Sequence, residues 1–257
     1  MKITELFDLT GKTAIITGGG RGLGEQIATG FAEAGANVVL CSRKKAACDE
    51  VAARMEELGV KALSFKCDIT NPADVQEVVN ETVRKFGSID ILVNNSGASW
   101  GASAIDMPLE AWNKVMNVNV TGTFIMCQTV GRIMIEQGYG KIINIASVAG
   151  LGGTNPNILD AVGYNTSKGA VITLTKDLAA KWGQHNININ AIAPGFFPTT
   201  MTKGVLAKGE SPILDSTPLK RLGNEDDLKG AAVYLASKAS DYVTGNILIV
   251  DGGSHVM

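Results

Sequence analysis

Seven short runs rich in apolar, β-favouring residues, at 12–17, 37–41, 62–67, 89–93, 141–145, 186–192 and 246–250, alternate along the chain with amphipathic stretches of helical length. This alternation restricts the fold more than any other feature, because strands separated by helices return to one sheet in parallel. The runs are apolar almost throughout, as expected when helices cover both faces of a sheet. Between the first two, Ile27, Phe31 and Ala32 share a helical face, and Gly35 follows as a stop signal, completing one βαβ unit. The pattern predicts an α/β protein with a doubly wound sheet of seven mainly parallel strands. No Pro/Ser-rich linker, repeat or low-complexity tract interrupts it, so residues 1–257 read as one domain. The stretch 194–222, rich in Pro, Gly, Thr and Lys between the sixth run and the last helix, breaks the rhythm where an active-site lid is expected.

Charge and cysteine content narrow the function classes. A net charge of −2 without a basic run leaves no electrostatic footprint for nucleic acid. The four cysteines, Cys41, Cys48, Cys67 and Cys127, have neither CxxC spacing nor the density of a stapled secreted scaffold, and reduced buried thiols are expected. Glu5 and Asp8 stand where a signal peptide needs an apolar core, and no apolar run approaches the ~18 residues of a spanning helix. The expectation is a cytoplasmic protein with no membrane partner. With only His185 and His255, and no Cys/His cluster, no metal site is expected.

Directly after the first run comes Thr17-Gly18-Gly19-Gly20-Arg21-Gly22-Leu23-Gly24, opening a helix. Glycines here let backbone N–H groups approach a pyrophosphate, and the helix N-terminus adds partial positive charge. At the end of the second run, where an acid would receive the ribose hydroxyls of NAD, stand Cys41-Ser42-Arg43-Lys44. A guanidinium at Arg43, helped by Arg21, suits a 2′-phosphate, so NADP(H) is favoured over NAD(H). Further along, Tyr164 and Lys168 are four residues apart and share one helical face, so the ammonium can favour the phenolate. Ser147 ends the fifth run, at the carboxyl edge where ligands of open sheets bind.

Taken in order, TGxxxGxG, Asn94-Asn95-Ser96-Gly97, Asn119, Ser147, YxxxK and Pro194-Gly195 resemble the short-chain dehydrogenase/reductase family over essentially the whole chain. That resemblance implies a Rossmann-type single domain for dinucleotide binding and catalysis. It implies Tyr164 as general acid or base, Lys168 lowering its pKa and holding the nicotinamide ribose, Ser147 orienting the carbonyl, and Asn119 ordering a water-linked proton path. It further implies cofactor contacts from Gly18, Arg21, Gly22, Leu23, Ser42 and Arg43. Asp68 and Ile69 would meet the adenine end, Asn95, Ser96 and Gly97 the middle, and Pro194, Gly195, Phe197 and Thr199 the carboxamide. Departures from the family pattern are Ser96 in place of a common Ala, Pro198 inside the PGxxxT segment, and a long stretch between Ser147 and Tyr164. The loop 150–161, with Trp100 and Phe196, is expected at the substrate mouth.

The resemblance implies an oxidoreductase that interconverts a carbonyl and a secondary alcohol, with a small-molecule substrate. Family members that dock an acyl carrier protein tend to present arginines at positions that here are Gly138 and His185. The leading expectation is therefore a reductase of free or CoA-linked 3-oxoacyl compounds or small ketones. The alternative is a sugar-acid or polyol dehydrogenase, and a non-catalytic nucleotide sensor is the competitor of another class. The resemblance also implies pairing through the helices near 109–136 and 161–182 and the last strand, giving a homodimer or homotetramer. An acyl hydrolase built on Ser147 is excluded because no GxSxG elbow surrounds it.

Overall fold

The computed structural model describes residues 1–206 and 209–257. After a short helix α1 (Ile3–Leu6), strands and helices alternate as β1 (Thr13–Thr17), α2 (Gly22–Glu33), β2 (Asn37–Ser42), α3 (Lys45–Glu57), β3 (Ala62–Lys66), α4 (Pro72–Phe86) and β4 (Ile91–Asn94). The second half continues with α5 (Leu109–Met116), α6 (Thr123–Gln137), β5 (Gly140–Ile145), α7 (Val162–Trp182), β6 (Ile187–Pro194), α8 (Lys203–Leu206), α9 (Ser211–Asp215), α10 (Lys229–Ala236) and β7 (Ile247–Val250). The seven strands form one sheet in the order β3-β2-β1-β4-β5-β6-β7, and every pairing is parallel. The expected doubly wound architecture is therefore present as one Rossmann-like domain, with no antiparallel strand among the described residues.

Neighbouring strand residues point to opposite faces, and the two cores follow that alternation. Ile16, Leu40, Ile91, Val93 and Ile143 meet Ile27 and Phe31 of α2, Val51 of α3 and Leu235 of α10 on one side. Ile15, Val39, Leu92, Ile142 and Ile189 meet Val78 of α4, Met126 and Val130 of α6 and Leu178 of α7 on the other. Each such fully buried aliphatic side chain contributes about 1.5–3 kcal/mol relative to exposure. The edge strands are the least buried: β3 and β7 are partly exposed along their length, and β3 ends on the exposed Lys66. All four cysteines are buried free thiols. No described helix is long and apolar enough to cross a membrane.

Two local features position the site. The helix expected at 109–136 is interrupted by a π-helical turn at Asn117–Gly122, which separates α5 from α6. Gly122 lies against the Ile69 side chain so closely that a Cβ would come within 2.7 Å of it. The segment 194–222 leaves the sheet as a loop closed at its base, where Gly223 N donates to Phe196 O at 2.9 Å. Ala207 and Lys208, which belong to the expected lid, lie outside the described residues.

Candidate active site

All strands run the same way, so their carboxyl ends converge on one edge, and the loops leaving β1, β2, β4, β5 and β6 build a cleft there. The floor begins at Thr17. Its hydroxyl accepts hydrogen bonds from the backbone N–H groups of Asn95 and Ser96, both at 3.0 Å, which ties the end of β1 to the chain leaving β4. Asn95 Nδ2 donates back to the carbonyls of Thr17 and Gly18. Gly18 takes φ +66°, where an added Cβ would meet Asn95 Nδ2 at 2.9 Å, and its N–H donates to Cys41 O of β2 at 2.7 Å. Gly24 sits even tighter, because a Cβ there would come 2.4 Å from Gly18 O. The glycines therefore fold the turn onto itself as well as leaving its N–H face open.

The resulting cavity has a volume of about 1160 Å³. Its walls include Gly18, Arg21, Gly22, Leu23, Ser42, Arg43, Asp68, Ile69, Asn95, Ser96, Gly97, Ser147, Tyr164, Lys168, Pro194, Gly195, Phe197 and Thr199. Every expected site residue except Asn119 is thus brought to one cleft. Asn119 is buried behind it in the π-helical turn, where Oδ1 accepts from Ala98 N at 2.7 Å and Nδ2 donates to Ala98 O at 2.9 Å and Ser167 Oγ at 2.8 Å. Its amide is occupied by protein partners.

Charge is unevenly distributed along the cleft. Arg21, Arg43 and Lys44 stand at the β2 end, opposite Asp68. Two hydrogen bonds donated by Thr70 to Asp68 Oδ1, from its backbone N–H at 3.0 Å and its hydroxyl at 2.7 Å, hold the Asp68 carboxyl below its ordinary value, and Arg43 adds a smaller favourable field. The Ser42 hydroxyl is committed locally, donating to Lys44 O at 3.0 Å and facing Cys48. At the far end, Ser147 follows β5, and Tyr164 and Lys168 come from the first turns of α7.

The ionisation of this pair differs from the expectation that Lys168 makes Tyr164 acidic. Burial raises the phenol above its ordinary value, and the opposing pull comes from a hydrogen bond with Ser147. Lys168 is 5% exposed, and burial lowers it to about 8. Its Nζ donates to Ile145 O at 2.6 Å and lies 5.6 Å from the centroid of the Tyr164 ring. Helical spacing brings the two residues together, but it carries no information about desolvation, which dominates both shifts.

The residues expected at the substrate mouth, Trp100, Phe196 and the loop 150–161, lie outside the walls of this cavity, and the segment after β6 supplies Pro198, Thr200, Met201, Thr202, Lys203 and Leu206. Loop 150–161 is drawn toward the chain after β4, where Ala102 bridges Ala161 and its N–H donates to Asp160 O at 3.0 Å. Trp100 remains 45% exposed on the surface. Sequence reasoning had assigned no role to Thr17 or to Ser167. A hydroxyl at the carboxyl end of β1 was a usable signal for the first, whereas nothing local distinguished the second.

The residues present suit a pyridine dinucleotide: an open N–H face at a helix start, cations at one end and a hydroxyl–phenol–amine cluster at the other. A family model described as enoyl-(acyl carrier protein) reductase matches residues 18–255. The chain belongs to the short-chain dehydrogenase/reductase family and is an oxidoreductase of that type. It is 42% identical over 254 residues to a 2-dehydro-3-deoxy-D-gluconate 5-dehydrogenase of Dickeya dadantii, with 98% of each chain covered. It is 36% identical over 256 residues to a rhamnolipid-biosynthesis 3-oxoacyl-[acyl-carrier-protein] reductase of Pseudomonas aeruginosa, covering 97% of this chain and 98% of that one. Among solved structures, a gluconate 5-dehydrogenase of Burkholderia cenocepacia in complex with NADP and tartrate superposes with a TM-score of 0.93 at 38% identity, each chain fully covered.

Proposed function

We propose that the protein is an NADP(H)-dependent dehydrogenase/reductase that interconverts a secondary alcohol of a sugar acid and the corresponding ketone. The observation that carries the reading is the convergence of Ser147, Tyr164 and Lys168 at one end of a cleft whose other end gathers Arg21 and Arg43. Similarity across the full chain to sugar-acid dehydrogenases favours this substrate class over the 3-oxoacyl or small-ketone class that headed the expectations.

In this reading Arg43 and Arg21 hold the 2′-phosphate, and the N–H groups around Gly22 and Leu23 hold the pyrophosphate. Ile69 and Asp68 meet the adenine end, and Gly97, Pro194, Gly195, Phe197 and Thr199 border the nicotinamide. When bound, the cofactor supplies or accepts the hydride. The protein's own work is with the proton. A phenol held above its ordinary value is the neutral acid near pH 7, so Tyr164 is ready to protonate an alkoxide formed in reduction. Ser147 stabilises the negative charge on the same oxygen, and Lys168, tethered to Ile145 O, presents its ammonium to the ribose side. The segment 194–222 serves as a lid, closing water out of the cleft.

The test is oxidation of NADPH and NADH, followed at 340 nm, with 5-keto-D-gluconate, a 3-oxoacyl-CoA and simple ketones as substrates. Turnover fastest with the sugar acid and NADPH supports the proposal. Preference for the 3-oxoacyl thioester would favour the second reading, which the Pseudomonas relative and the apolar lid residues Met201 and Leu206 support. Tight NADPH binding without turnover of any ketone would favour a nucleotide sensor. Pairing through α5–α6 and α7 into dimers or tetramers belongs to the same proposal and is checked by light scattering.

A further inference from the structure

Ser167 sits between Tyr164 and Lys168 on α7 but points away from the cleft and is fully buried. Its hydroxyl donates to Tyr164 O, three residues back, at 2.7 Å, and accepts from Asn119 Nδ2 at 2.8 Å. A serine that bonds only to its own helix makes a local and dispensable contact. This one also carries a lateral bond. From the backbone of Ala98 past β4, through Asn119 in the π-helical turn, to the first turn of α7, the chain of hydrogen bonds is continuous, and no link exceeds 2.9 Å.

We infer that Ser167 is a positioning residue for Tyr164, joining the α7 turn that carries the phenol to the floor on which the reaction takes place. The inference rests on the reading of Tyr164 as proton donor. A hydroxyl has one hydrogen, and here it is given to a carbonyl, which can only accept. Toward Asn119 the oxygen can therefore only accept, which requires the amide to present Nδ2 to Ser167. The Ala98 N–H and C=O demand the same orientation, so Oδ1 faces the Gly97 shelf. A Cβ built on Gly97 would lie 3.4 Å from Asn119 Oδ1 and 3.9 Å from Lys168 Nζ, so the acceptor and the amine face one shelf. Ser167 thus joins two alignments: the position of the first turn of α7, and the acceptor edge that Asn119 shows beside Lys168.

The placement of the Tyr164 phenol beside Ser147 depends on the first of these, because Ser147 follows β5 whereas Tyr164 is carried by α7. Without the Ser167 hydroxyl, Asn119 keeps both bonds to Ala98, and α7 keeps its helical ladder, so the fold survives while the lateral tie is lost. Small misplacements of a reacting group are costly, on the order of 10²-fold for ~1 Å.

The experiment compares S167A and the near-isosteric S167C with the parent and with Y164F, using NADPH and whichever panel ketone the parent reduces fastest. The expected result for S167A is a kcat lowered roughly 10- to 100-fold, with NADPH affinity within about twofold of the parent. The kinetic pKa of the acid moves upward, because the contact with Ser147 that opposes burial is weakened, and S167C, whose thiol donates and accepts weakly, falls between. A kcat and pH profile in S167A that match the parent, with or without a lower melting temperature, would overturn the inference and leave Ser167 a packing residue. S167C gives the same decision if S167A does not fold. Near-parental turnover in Y164F would instead remove the underlying assignment of Tyr164, so the two failures are told apart.

Discussion

At the scale of single residues, burial sets the chemistry of the cluster more than proximity does. Lys168 is held near 8 instead of its ordinary 10.5 because its ammonium is desolvated. The unfolded chain therefore binds the proton more tightly than the folded one, and stability rises with pH between about 8 and 10.5. Below about 8 the cost of burying the charge is fully present, and a gap of that size corresponds to about 3 kcal/mol. Lys168→Met removes the cost but also the charged hydrogen bond to Ile145 O, worth ~1.5–3 kcal/mol. The variant is expected to be more stable than the parent by up to about 2 kcal/mol at pH 7 in urea unfolding, an advantage that disappears by about pH 10. An equal difference at both pH values would show that packing and not charge is responsible. Y164F is expected to keep NADPH binding while losing ~10²- to 10⁴-fold in turnover, the usual scale of a general-acid contribution. Ser147, Tyr164 and Lys168 were marked by linear patterns, a serine at a strand end and YxxxK, but were singled out only together with the other motifs that resemble the family. Their ionisation was not legible, since it depends on atoms from β5 that are remote in sequence.

At the scale of elements, the turn between β1 and α2 shows how a motif combines fold and site. Alanine in a helix interior is favoured over glycine by about 1 kcal/mol, so Gly24→Ala should stabilise α2 if propensity decides. The new Cβ, however, meets Gly18 O at 2.4 Å, a backbone atom that cannot move without moving the turn. Overpacking of this kind costs about 1–3 kcal/mol, which outweighs the gain. Gly24→Ala is expected to melt several degrees lower and to bind NADPH more weakly, both read by thermal shift with and without cofactor. An unchanged melting temperature would mean that the turn yields freely. The strand runs read from sequence match β1–β7 within a few residues at each end, because apolar runs bounded by turns are local signals. The π-helical turn at Asn117–Gly122 had no such signal. Val118, Val120 and Thr121 continue an ordinary helical pattern, and the turn is justified only by Gly122 receiving Ile69 and by Asn119 reaching Ala98. The bridge of loop 150–161 to Ala102 was illegible for the same reason: it joins segments separated by some sixty residues of chain.

At the scale of the whole molecule, the cleft carries Arg21, Arg43 and Lys44 beyond β1 and β2 and the buried Lys168 beside β5, and the two arginines make cofactor choice measurable as stability. Any ligand bound by the folded chain alone stabilises it, by about 2.7 kcal/mol at a hundred times its Kd. In a chain of this length, ~1 kcal/mol corresponds to roughly 2–4 °C, so saturating NADP⁺ should raise the melting temperature by about 5–11 °C. NAD⁺ lacks the 2′-phosphate that Arg43 and Arg21 would receive in the proposed reading, where charged hydrogen bonds would be worth ~1.5–3 kcal/mol each. At equal concentration it should therefore give a clearly smaller rise. Arg43→Glu places a carboxylate where the 2′-phosphate would lie, beside the existing Asp68. The NADP⁺ shift should then fall below the NAD⁺ shift, and the latter should survive because the glycine turn and Gly97 are untouched. The order of the two shifts in the variant decides the matter: if NADP⁺ still stabilises more than NAD⁺, Arg43 is not the residue that receives the phosphate and serves some other contact.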